Sequence, residues 1–97
     1  MSDCVQAVDF DPSNPKAYLN RGRAYAMGRD IERAIIDYDK AISLDPRLFV
    51  AYVYRGAAYE FKGNRTKAIS DYRFAISNGY DNGDMAHKGL QRLGARP

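Results

Sequence analysis

Cysteine occurs once in this 97-residue sequence, histidine once and tryptophan never. Cys4 alone cannot close an internal disulfide, which fits a reducing compartment and a small apolar packing role for its thiol. His87 has no second histidine or nearby cysteine with which to hold a metal, and it reads as a surface residue of the last helix. No apolar run reaches membrane-spanning length, and Met1-Ser2-Asp3-Cys4 lacks the basic and then apolar stretch of a secretory signal. These absences describe a cytoplasmic chain with no membrane partner.

Catalytic patterns are also missing. No nucleophile stands in a pattern with a base, no glycine-rich phosphate loop appears, and Gly79 to Gly83 around Tyr80-Asp81-Asn82 reads as a turn. Asp81, Asn82 and Asp84 lack the spacing and terminal glutamate of a calcium loop, so a helix N-cap is expected there. Asn64-Arg65-Thr66 matches a glycosylation acceptor, but in a cytosolic chain it reads as an interhelix turn with a capping asparagine. The sequence thus predicts no enzyme, no cofactor and no metal. Net charge is +3, with Lys88, Arg92 and Arg96 gathered near the end. Nucleic-acid binders carry a denser basic stripe, so a solvated tail is expected and no nucleic acid.

What is present is a repeat. A shift of 34 residues lays Ala17-Tyr18, Arg21-Gly22 and Ala24-Tyr25 onto Ala51-Tyr52, Arg55-Gly56 and Ala58-Tyr59. The same shift lays Ala34-Ile35, Asp37-Tyr38 and Ala41-Ile42-Ser43 onto Ala68-Ile69, Asp71-Tyr72 and Ala75-Ile76-Ser77. A fixed period of this length means stacked helix pairs, each too small to bury its own apolar face. The spacing predicts a helix over 15–27, capped by Ser13-Asn14 and stopping near Gly28, and a second after Asp30 that Pro46 closes. The second unit repeats the plan with helices over 49–61 and 65–77, the latter ended by a left-handed cap at Asn78-Gly79.

Both ends are partial units. Ala7, Val8, Asp11 and Pro12 fall 34 residues before Ala41, Ile42, Asp45 and Pro46, so residues 1–12 are expected to be part of a second helix. Residues 13–46 and 47–80 form the complete units, and 81–97 a capping helix and tail. In that helix Leu90 stands where Gly22 and Gly56 let their partners approach, with Ala86, Leu90 and Leu93 facing inward and Lys88, Gln91 and Arg92 facing water.

These residues resemble the tetratricopeptide repeat. The pattern is carried by Tyr18, Gly22, Tyr25, Ala34, Tyr38, Ala41 and Pro46, then by Tyr52, Gly56, Tyr59, Ala68, Tyr72 and Ala75, with Tyr80 replacing the last proline. The resemblance implies an all-α fold, an αα-superhelix or solenoid of stacked antiparallel helix pairs. The position before the glycine, usually leucine in the family, is here Arg21 and Arg55. Each unit also carries an aspartate before its second aromatic, Asp37 and Asp71, and each half-buried arginine is expected to pair with it, with a tyrosine hydroxyl nearby.

The resemblance further implies that first helices line a concave groove. Its expected residues are Lys16, Leu19, Asn20, Arg23 and Met27 in the first unit, and Val50, Val53, Tyr54, Ala57, Glu60 and Phe61 in the second. His87 and Gln91 extend the row onto the cap. Such a row, basic at one end and with Val50, Val53, Tyr54 and Phe61 exposed in the middle, suits a peptide with an apolar anchor and an acidic residue. Some of these residues pack instead against a neighbouring first helix in the alternative reading. The clamp with which some family members hold a chaperone tail is not reproduced, because its places carry Leu19, Arg23, Val53, Tyr54 and Ala57.

The leading expectation is therefore a protein-interaction module within a larger scaffold, binding a protein or peptide partner. A second is self-association as a homodimer or domain-swapped assembly through Val5, Val8 and Phe10. A helical-repeat RNA binder is the third and least favoured, because such arrays need a base-reading set in every repeat.

Overall fold

Asn14 adopts extended backbone and its side chain accepts a hydrogen bond from the Lys16 N–H, while Pro15 opens the first helical turn. Helix α1 therefore begins at Pro15 and runs to Met27 in the computed structural model, which describes residues 11–80 and 84–96. Helix α2 spans Ile31–Leu44, started by Asp30, whose carboxylate accepts from the Arg33 N–H. It ends where Asp45 turns extended ahead of Pro46. Helices α3, Phe49–Lys62, and α4, Arg65–Ser77, repeat the plan with Asn64 as the cap between them. A short helix α5, Met85–Arg92, follows.

The chain divides into two compact units, Met1–Leu48 and Phe49–Pro97. In the first, α1 and α2 pack as an antiparallel pair over Ala17, Tyr18, Ala34, Ile35, Tyr38 and Ala41. A Cβ on Gly22 would lie 2.7 Å from Tyr38 Cε1 and 3.1 Å from the Ala34 carbonyl oxygen, so glycine is what admits the ring. The Tyr18 hydroxyl donates to the Pro12 carbonyl at 3.0 Å and ties the entering chain to α1.

In the second unit α3 packs on α4, and α5 lies on α4 and, more lightly, on α3. Its core is Val53, Ala68, Tyr72, Ala75, Ala86 and Leu90. Tyr72, fully buried, fits between two glycines. One ring edge is 3.0 Å from where a Gly56 Cβ would stand, and the other lies closer still to where a Gly89 Cβ would stand. The inward placement of Ala86 and Leu90 matches the sequence expectation, and Gly89 supplies a close approach that the sequence did not single out.

The turns carry a detail that the sequence did not single out. Gly28 has φ of −85°, and the left-handed residue after α1 is Arg29 at +65°. In the second unit the same repeat position is Gly63 at +87°. Both turns close alike, with the Asp30 N–H donating to the Tyr25 carbonyl and the Asn64 N–H to the Tyr59 carbonyl. Gly79, with φ of +78°, ends α4 as expected. Asp84 stands at the α5 N-cap but is left-handed, and its side chain makes no capping bond, which corrects the expected cap. The partial helix over residues 1–10, Cys4, the association residues Val5, Val8 and Phe10, and the turn residues Asp81 and Asn82 lie outside the described residues.

Candidate functional site

On a helix, residues at i, i+4, i+7 and i+11 fall on one narrow stripe. In α1 these are Lys16, Asn20, Arg23 and Met27, and all four are exposed. The corresponding stripe of α3 is Val50, Tyr54, Ala57 and Phe61, the first three half-buried and Phe61 exposed. Met27 and Phe61 occupy one repeat position, in the last turn of each first helix, and are 83% and 63% exposed. Two large apolar side chains thus stand in water at the same place in each unit.

Three expected groove residues lie off this stripe. Leu19 is 7% exposed and Val53 is wholly buried, in the core formed by α3, α4 and α5. Both sit about a sixth of a turn to one side of the stripe, on the flank that faces packed neighbours rather than solvent. Val53 is therefore core, which corrects its expected exposure, and the exposed apolar patch is smaller than the sequence implied.

Glu60 lies on that flank as well, and its carboxylate is committed. Oε1 accepts from the Tyr72 hydroxyl at 2.8 Å, and both oxygens accept from the Arg92 guanidinium, at 2.8 and 2.9 Å. The bond to Arg92 holds the Glu60 carboxyl below its ordinary range, burial opposing and the Tyr72 hydroxyl assisting. The same contact raises Arg92, while burial and then Glu60 raise Tyr72. Glu60 joins α3 to α4 and α5 through these bonds. Arg92, expected to face only water, is its partner. The signal for this pair was a single carboxylate on α3 where the first unit has Ala26. On α5, His87 is half-buried and Gln91 exposed.

The arginine–aspartate pairs form as expected, each bidentate. Arg21 Nε and Nη2 donate to the two Asp37 oxygens, both at 2.9 Å, and Arg55 does the same to Asp71 at 2.8 Å. Arg21 lies over the Tyr18 ring and Arg55 over the rings of Tyr52 and Tyr59. Asp37, by accepting these bonds, raises Arg21 above its ordinary value. The more buried members are the carboxylates, 4% and 7% exposed against 30% and 20% for the arginines. These cations hold each helix pair together.

Among the described residues no cluster of three His, Cys, Asp or Glu side chains has the arrangement of a metal site, and no helix is long and apolar enough to cross a membrane. Residues 15–48 match the family described as Tetratricopeptide repeat. Among solved structures, the Arabidopsis OM64 TPR domain is 29% identical with a TM-score of 0.80, the alignment covering 86% of this chain and 68% of that one. The second TPR domain of human RPAP3, determined in complex with the HSP70 peptide SGPTIEEVD, is 28% identical with a TM-score of 0.79, covering 89% and 71%. No curated protein matches the chain significantly.

Proposed function

We propose that this tetratricopeptide-repeat chain is a non-catalytic protein-interaction module in which the first helix of each unit, α1 in one and α3 in the other, contacts a partner protein. The observation that carries the proposal is the pair Met27 and Phe61, exposed at one repeat position in both units. Isolated exposed apolar residues are ordinary, but recurrence at one register on two first helices marks that position in each unit as kept for contact. Around them α1 presents Lys16, Asn20 and Arg23 and carries no acidic residue. A peptide with apolar anchors and an acidic side chain complements such a stripe. That a related domain was determined with a bound peptide supports a peptide as the ligand class.

The residues argue against a clamp for a chain-terminal carboxylate. Leu19 and Val53 are buried and Ala57 has no donor, which leaves Arg23 as the cation among those places. The partner is then gripped chiefly through apolar anchors, in the setting of a larger cytoplasmic scaffold. Selection of a random peptide library on the wild-type chain, followed by titration of the selected peptide into Met27→Asp and Phe61→Asp, tests the reading. Each variant is expected to weaken binding about tenfold or more. Full retention of affinity by both would remove α1 and α3 as the recognition face.

A further inference from the structure

Helix α4 carries a trough of about 880 Å³ on its outward side, lined by Thr66, Ile69, Ser70, Arg73, Phe74 and Ile76 with Ser77. Ile69 and Ile76 wall one side, their inner faces packed on the core of the second unit. Phe74 walls the other, 41% exposed, and is itself held by Tyr52 at 4.4 Å and Phe49 at 6.0 Å between ring centroids. The walls are thus apolar and braced.

The exposed charges on this helix are all positive. Arg65 donates to the Leu93 carbonyl and Arg73 to the Arg96 carbonyl, and Lys67 lies 5.3 Å over the Tyr59 ring. None of these three cations has a carboxylate partner among the described residues. The one acid of α4, Asp71, is buried and taken by Arg55. A neutral carbonyl or a ring orients a cation without cancelling its charge, so the apolar walls, with the hydroxyls of Thr66, Ser70 and Ser77 between them, stand in a positive field.

We infer that this face of α4 docks an amphipathic helix of a partner protein, with apolar residues along its inner stripe and glutamate or aspartate on its flanks. An occupant against apolar walls must satisfy its own backbone, which a helix does internally and an extended strand does not. The flanking acids follow from Arg65, Lys67 and Arg73, whose combined field an acidic helix neutralises and a basic one opposes. This surface is separate from the stripe on α1 and α3, and it stands whether or not that stripe binds a peptide.

The test uses two synthetic amphipathic peptides with leucine at i, i+3, i+4 and i+7, one flanked by glutamate and one by lysine, titrated into the 15N-labelled chain. The acidic peptide is expected to shift the amide signals of Thr66, Ser70, Phe74 and Ser77, and to bind at least about tenfold tighter than the basic one. Arg73→Glu, at an exposed position, is expected to weaken the acidic peptide and strengthen the basic one. Equal affinity for the two peptides, or shifts confined to α1 and α3, would overturn the assignment. So would sedimentation at increasing concentration that shows α4 already covered by a second copy of the chain. Because the two peptides are compared on the wild-type chain, the outcome does not hang on any variant folding.

Discussion

The two units are built on the same residues and completed differently. Each has a buried tyrosine seated on a helical glycine, Tyr38 on Gly22 and Tyr72 on Gly56, and each has a bidentate arginine–aspartate pair between its helices. The second unit adds α5, admitted by Gly89 against the far edge of Tyr72 and fastened by Arg92 to Glu60. The first unit has Ala26 in place of Glu60, and Arg29 in place of Gly63 at the left-handed turn. What the units share folds a helix pair. What they do not share sets where each pair ends and what it presents to solvent.

The pairing shared by both units is the sharpest place to test this. Arg55→Leu strands Asp71, the buried partner, and is expected to destabilise by about 2–4 kcal/mol. Asp71→Leu leaves an arginine that still reaches water and lies over two rings, so its cost should be smaller. The double variant should recover most of the loss in a chemical-denaturation cycle. The same cycle on Arg21 and Asp37 should give coupling of the same sign. Absence of coupling in either unit would break the parallel. Gly89→Ala comes next, since its methyl would meet the buried Tyr72 ring, and a loss of about 1–3 kcal/mol by denaturant titration is expected. Ala26→Gly, near the end of α1, serves as the control for helix propensity alone, at about 1 kcal/mol.

Arg29 and Gly63 offer a smaller and opposite pair of effects. Arg29→Gly relieves a left-handed non-glycine residue and should raise stability by up to about 1 kcal/mol, whereas Gly63→Ala should lower it by about 1 kcal/mol. The smallest effect is that of pH on the second unit. Glu60 has a lowered folded-state pKa, so its contribution is present above the ordinary value of 4.5 and is lost as pH falls through the folded value. Wild-type stability should therefore drop more steeply below about pH 4.5 than that of Glu60→Gln, by up to about 1 kcal/mol for so accessible a pair. Superimposable acid profiles would mean that Glu60 contributes no linkage.

Periodicity and caps made the helices legible. Pro15, Asn64 and Pro46 act through local backbone chemistry, and the repeat carried the rest from one unit to the next. The arginine–aspartate pairs were legible because the family position asks for leucine and finds arginine in both units. The groove was legible only in part. Family register marks positions to either side of a helix stripe, and whether Val53 faces solvent depends on α5, whose docking rests on Gly89 and Arg92. Those residues lie outside the repeated pattern. Arg29 was not legible, because Gly28 beside it marks only where the helix stops and an arginine carries no signal for a left-handed turn.

In the proposed reading, the shared residues hold each unit while the exposed residues of α1 and of α3 recognise a partner. It is tested most directly by the double variant Met27→Asp/Phe61→Asp, with its denaturation midpoint and its affinity for the library-selected peptide measured on one preparation. Stability is expected within about 0.5 kcal/mol of wild type, with affinity reduced by about tenfold or more. Unchanged affinity in a folded protein would contradict it.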